Sequence, residues 1–232
     1  MAKTYEAMQR RGNISSSGWQ FLDLKSRKKT GDIEKKILQY RQKNKFQVFN
    51  FSAAKRKEGV STILSNLISY FNLQHSEKQI LVIDANFKSP SLHSNFNIDN
   101  ASGLIDVLKN GKILDEVATN LGSTNISIVT TGQGFDPKAD NLDQEKFNHL
   151  LKTNKSKYDF IFIDSPPILA SSDALSAAVA SDVTFWIIQS VAIQKDVAHK
   201  TKTLLLDNEC IIGGVILNQV KQVIPEWIYR LT

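Results

Sequence analysis

The sequence predicts an α/β fold, a mostly parallel sheet with helices on both faces in three layers. Three observations lead there. Apolar runs rich in Val, Ile and Phe alternate with segments whose apolar residues recur at helical spacing. The runs at 79–84 and 158–164 are almost continuously apolar, the pattern of strands covered on both sides. Three strand-like runs also end in polar loops, and parallel sheets bind ligands at the carboxyl ends of their strands.

Residues 1–30 lack steady periodicity and carry Gly12-Asn13, Ser15, Ser16, Ser17 and the basic run 25–29. They read as a basic, flexible arm with a short helix near 4–11, and residues 31–232 as one domain. A helix at 32–43 carries Ile33, Ile37, Leu38 and Tyr40, and a strand follows at 46–52. Ile63, Leu64, Leu67, Ile68 and Phe71 mark the next helix, ahead of the strand at 79–84. Helices are then expected at 104–109, 144–152, 172–180 and 195–207, and strands at 126–130, 158–164, 183–189 and 211–217.

The chain has 232 residues, 41% hydrophobic and 22% charged, the balance of an ordinary soluble domain with a sizeable core. The single cysteine, Cys210, excludes an intramolecular disulfide and a cysteine-rich metal site, and its apolar surroundings suggest a buried thiol. No run approaches the roughly 20 apolar residues of a membrane span, and the polar N-terminus is no signal peptide. A cytoplasmic protein is expected, peripheral at the inner face of the plasma membrane if it meets the membrane at all. Residues 1–60 hold 15 of the 29 Lys and Arg but only 5 of the 23 Asp and Glu, although the net charge is only +6. A basic front end points to an acidic partner, an anionic membrane surface or nucleic acid, with a solvated arm as the plainer reading. The four histidines are isolated, and Trp19, Trp186 and Trp227 do not cluster.

The run AAKRKEGVST at 53–62 has the spacing of a phosphate-binding loop: Gly or Ala, four residues, then Gly-Lys-Ser/Thr. Ala54, Gly59 and Ser61 hold their places, Thr62 follows, and Val60 stands where the lysine belongs. Backbone N–H groups and the helix dipole at such a turn attract an anion, and the Ser61 hydroxyl is positioned for Mg²⁺. Valine cannot neutralise phosphate charge. Lys55, Arg56 and Lys57 are the cations left in the loop, beside Glu58, and Lys55 or Lys57 is the candidate replacement. Two further strands end in acids, Asp84 and Asp164, each a candidate for holding Mg²⁺ or steering a hydroxyl. Taken alone, either aspartate would be an ordinary cap or loop residue.

Together these segments resemble the bacterial tyrosine kinases (BY-kinases) of capsule and exopolysaccharide biosynthesis. Those kinases are P-loop NTPases with variant Walker motifs, a class that includes the MinD and ParA proteins. Asp84-Ala-Asn86-Phe-Lys88, continuing through Pro90, Leu92, His93 and Phe96, resembles the family's Asp-x-Asp-x-Arg segment and its Pro-x-Leu-His sequel. Gly103-Leu104 with Asp106, then Asp164-Ser-Pro-Pro with Asp173, match later segments, and the strand ending at Asn218 matches the last. The tail Ile224-Pro-Glu-Trp-Ile-Tyr229-Arg has the look of exopolysaccharide-type members. The resemblance runs from about residue 46 to the end. It implies a P-loop NTPase-like fold, ATP or ADP with Mg²⁺ as cofactors, and Asn218 near the nucleotide base.

The departures fall on the chemistry. Val60 replaces lysine, Asn86 replaces a carboxylate, Lys88 replaces arginine and Lys57 replaces a loop glycine, which puts the anion-cradling turn in question. The family's Glu-x-x-Arg-x-x-Arg oligomerisation helix is reduced to Glu34, Ile37 and Tyr40, and its tyrosine cluster to Tyr229. Lys55 holds the place of the signature lysine of MinD and ParA loops.

Three functional readings follow. In the first, a catalytically impaired BY-kinase-like protein acts by binding a membrane chain-length (co-polymerase) protein through that partner's cytoplasmic tail. It binds nucleotide weakly or not at all, and homo-oligomerisation is a further expectation. In the second, an active tyrosine kinase or ATPase uses a rearranged site of Asp84, Asp164, Ser61 and Lys55. In the third, a MinD- or ParA-like positioning ATPase binds membrane or DNA through its arm, though nucleic acid is the less expected partner.

Overall fold

The structure is a computed structural model that describes residues 24–136, 140–189 and 195–218, with side chains from Lys29 onward. The expected arm up to residue 23, Trp19 and the tail with Trp227 and Tyr229 lie outside the described residues. In chain order the elements begin with α1 (Leu24–Asn44), β1 (Val48–Ala53), α2 (Val60–Gln74), β2 (Ile80–Asp84) and α3 (Leu92–Phe96). They continue with α4 (Leu104–Asn110), α5 (Leu114–Val117), β3 (Thr119–Asn120), β4 (Ile126–Val129) and α6 (Gln144–Asn154). The last are β5 (Phe160–Asp164), α7 (Ser172–Val179), β6 (Val183–Gln189), α8 (Lys195–Asp207) and β7 (Ile212–Asn218).

Among the described residues seven strands form one sheet, in the order β3-β4-β2-β5-β1-β6-β7. Only β3 pairs antiparallel, on β4, so the expected parallel architecture is present. Alternation along the central strands divides the core in two. Phe49, Phe51, Val82, Phe160 and Phe162 face one layer, closed by Leu64, Leu67, Ile68 and Phe71 of α2 and by Ile37 of α1. Val48, Leu81, Ile83, Ile161 and Ile163 face the other, covered by Leu104 and Leu108 of α4, Phe147 and Leu150 of α6, and Ala177 of α7. Burying a side chain of this size contributes about 1.5–3 kcal/mol, so these two layers dominate the stability.

The helix expected at 32–43 starts earlier, at Leu24, and takes in the basic run and the position where arm and domain were expected to meet. Its first turns lack apolar spacing, which is why they read as linker. Ile37 is fully buried, the Tyr40 hydroxyl donates to the Gly213 carbonyl at 3.1 Å, and Glu34 meets His75 Nε2 at 2.6 Å. Glu34, the residue matching the family's oligomerisation glutamate, is thus engaged within its own chain. Cys210 is buried, as expected, and burial pushes its thiol pKa up. Among the described residues no helix is long and apolar enough to cross a membrane.

Candidate phosphate-binding site

β1 runs out at Ala53 into the loop in question, at the carboxyl edge of the sheet. Glu58 closes this turn. Its buried carboxylate accepts N–H bonds from Ala54 at 2.9 Å and Lys55 at 3.0 Å, and a longer one from Gln189 at 3.5 Å. Lys57 takes φ 66° and Gly59 φ 90°, both left-handed. Lysine there costs about 1–2 kcal/mol, yet it adopts the conformation a glycine would supply, so the turn survives the substitution.

α2 begins at Val60, so the N–H groups of Val60, Ser61 and Thr62 have no intrahelical acceptor. Ile63 is the first to close a turn, on the Gly59 carbonyl at 3.0 Å. Free N–H groups at a helix N-terminus favour an anion. The Val60 side chain packs against the core below α2 and brings no charge to the loop. Asn218, at the end of β7, donates its amide to the Glu58 carbonyl at 2.9 Å. A Cβ at Gly59 would press on the Asn218 amide, which would have to turn away, while the left-handed backbone itself calls for glycine.

Asp84 and Asp164 end β2 and β5 as register partners, and neither has any exposed surface. The Asp84 carboxylate fastens the next loop, accepting N–H bonds from Asn86 at 3.0 Å, Ser91 at 3.2 Å and Leu92 at 3.1 Å. Burial pushes its pKa up to about 6 despite those bonds. Asp164 is raised well above the usual carboxylate range, first by burial and then by the charge of Asp84, with the Ser61 hydroxyl opposing the rise. Among the described residues, the nearby Ser61 hydroxyl is the one donor that reaches Asp164, and its carboxylate is otherwise without a hydrogen bond. Two carboxylates beside a hydroxyl are a hard-oxygen donor set that fits Mg²⁺. Asp164 and Ser61 would hold that ion, with Asp84 behind. No cluster of three or more His, Cys, Asp or Glu suited to a metal occurs among the described residues.

A cleft of about 310 Å³ opens beside these acids, lined by Ser61 and by their chain neighbours Asn86 and Ser165. The phosphate-loop residues 55–62 form one wall, Asn86, Lys88, Ser89, Ser91 and Asn95 another, and Ser165, Pro166 and Pro167 a third. The structure therefore brings the loop and the Asp84 segment together, and it seats Asn218 at the loop's flank. The sequence reading missed the supports beneath. Ser165 donates to Asn50, Asn50 to Thr184 at 3.2 Å, and Ser52 to the Pro166 carbonyl at 2.6 Å, all from buried side chains. The alternation Phe49-Asn50-Phe51-Ser52 was the available signal, although it reads equally as a half-exposed strand.

No family model matches the chain. It is 29% identical over 164 residues to the tyrosine-protein kinase YwqD of Bacillus subtilis, covering 71% of this chain and 68% of that protein. To the tyrosine-protein kinase ptk of Acinetobacter johnsonii it is 27% identical over 164 residues, covering 71% of this chain. The chain spans only 22% of the length of that second relative. Among solved structures, the kinase domain of the Escherichia coli tyrosine kinase ETK superposes with a TM-score of 0.75 at 20% identity, covering 84% of this chain and 78% of that one. The MinD cell division protein of Aquifex aeolicus gives 0.64 at 19% identity, over 79% of this chain and 72% of that one. At these identities the structural likenesses establish the fold.

Proposed function

The chain is a relative of the bacterial tyrosine kinases on a P-loop ATPase fold, and we propose that it serves capsule or exopolysaccharide biosynthesis or export as a binding protein impaired in phosphoryl transfer. It binds ADP or ATP with Mg²⁺ weakly, and it acts through a membrane chain-length protein at the inner face of the plasma membrane. One observation carries this reading. The turn keeps its left-handed residues and free helix N–H groups, while half-buried Val60, at the lysine's place, leans on the core and brings only an apolar surface to the cleft. A loop so built attracts phosphate through backbone and dipole but has no cation at the helix-start position from which the usual lysine stabilises charge during transfer.

The residues would divide the work as follows. N–H groups of residues 59–62 orient the phosphates, Ser61 and Asp164 hold the metal, and the Asp84-fastened loop shapes the opposite wall. Bound Mg²⁺ would supply charge neutralisation between phosphate oxygens. The tie between Glu34 and His75 supports contact with a partner through other surfaces than the family's oligomerisation motif.

A second reading, an active enzyme with a rearranged site, draws support from the retained Asp84–Asp164 pair and Ser61. Calorimetry with Mg-ADP and Mg-ATP, followed by a turnover assay, separates the two. Binding without Mg-dependent turnover is expected. Turnover that Asp164→Ala abolishes would establish the enzyme instead.

A further inference from the structure

We propose that Lys88 supplies, from across the cleft, the phosphate-facing cation that Val60 cannot. This rests on the nucleotide-binding reading above and assigns a role within that site. Lys88 lines the same cleft as Val60, Gly59 and Ser61 but comes from the segment after β2. Its backbone is held on both sides. Phe87 is buried and stacked on Phe135 at 4.5 Å and 7°, and the Ser89 N–H closes a turn on the Asn86 carbonyl at 3.0 Å. Beyond that turn, the Asp84 carboxylate gathers the N–H groups of Asn86, Ser91 and Leu92. Lys88 is therefore presented from a fastened platform.

The charge balance of the cleft agrees. Among the described residues its one acidic lining residue is Glu58, whose carboxylate is already committed to the N–H groups of Ala54 and Lys55. Lys88 makes no ion pair among the described residues, and its side chain is exposed. An ammonium is a mobile point charge on a long stem, so it can reach an anion without the fixed bidentate geometry that arginine offers. Lys55, Arg56 and Lys57 sit exposed on the loop's turn and add to the attracting field. A lysine from the Asp84 segment gives a phosphate held by the helix N-terminus a second point of contact from a separate part of the lining, which a charge on the turn alone does not.

The test is calorimetric titration of Mg-ADP into the full chain and into K88A, K55A, V60K and V60K/K88A, with thermal melts confirming that each is folded. The natural protein is expected to bind. Lys88→Ala should weaken binding by about tenfold or more, as expected for a lost charge-assisted contact, and Lys55→Ala by much less. Adding Val60→Lys to K88A should restore most of the lost affinity, because a lysine at the usual position makes the one at 88 redundant. Unchanged affinity in K88A, with the natural protein binding, would overturn the role of Lys88 and leave the nucleotide reading standing. Binding by V60K and not by the natural protein would also overturn it, since no compensation then exists. If neither the natural protein nor V60K binds, the nucleotide reading fails and this proposal with it.

Discussion

Asp84 and Asp164 lie side by side at the ends of adjacent parallel strands, fully buried, with their protons held above the usual carboxylate range. Two like charges so placed oppose folding whenever both ionise. A divalent cation, or a proton, relieves them.

The first prediction concerns pH. For Asp84 the folded pKa is about 6 against an ordinary 3.8, so the folded protein binds the extra proton between those values. The stability this gives is present below the unfolded pKa and is lost as pH rises through about 6. Two units correspond to about 3 kcal/mol at most. Denaturant unfolding at pH 4.5 and 7.5 should show this loss against the background of other groups. Asp164→Asn, which removes the charge and keeps an oxygen able to accept from Ser61, should flatten the profile and stabilise the protein at pH 7.5.

Asp84 has a structural role that Asp164 lacks. Asp84→Ala should release the N–H groups of Asn86, Ser91 and Leu92 and cost about 3 kcal/mol, because buried donors lose a charged acceptor. Hydrogen exchange at Ser91 and Leu92 should speed up more than exchange in β4. Unchanged protection at those two amides would contradict this fastening role.

At the loop, Gly59 has φ 90° and faces Asn218. Gly59→Ala should cost about 1–2 kcal/mol from backbone strain alone, and more from displacing the Asn218 amide. Combining it with Asn218→Ala isolates the second part. The double variant should cost less than the sum of the two singles, as measured by thermal unfolding. Strict additivity would mean that Asn218 does not press on the loop.

Remote from the cleft, Asp182 anchors the start of β1. Its carboxylate accepts N–H bonds from Gln47 at 2.7 Å and Val48 at 2.8 Å, and Lys155 pairs with it at 2.9 Å. Asp182→Ala should cost about 2–3 kcal/mol by orphaning backbone donors, whereas Lys155→Ala should cost less than about 1 kcal/mol as a partly exposed pair. Chemical denaturation of both variants checks the order.

Much of this was legible in the residues. Apolar runs ending in Asp84 and Asp164 marked both strands and the edge where the two carboxylates meet, because parallel strands covered on both sides leave little polar residue except at the edge. What stayed hidden depends on long-range placement. The registration of Asp84 against Asp164 comes from strands 80 residues apart. Glu58, charged and within a loop, reads as solvated, yet it turns back to satisfy its own turn. Asn50 and Ser52 look half-exposed by alternation and are buried, because Ser165 and Pro166 give them partners. The early turns of α1 lack apolar spacing, and α3, α5 and β3 are too short for periodicity to register. The strand ends placed the Lys88 segment at the same sheet edge as the phosphate turn, but nothing in the residues showed that Lys88 itself would line their shared cleft.

The most direct measurement is phosphoryl transfer from γ-labelled ATP and Mg²⁺ at nucleotide concentrations where calorimetry shows the site filled. Phosphate release and phosphotyrosine should both stay at the level of Asp164→Ala, since Val60 leaves the developing charge without its loop lysine. Mg-dependent release or tyrosine labelling by the natural protein, lost in that variant, would show that the rearranged site is a working enzyme and contradict the binding role.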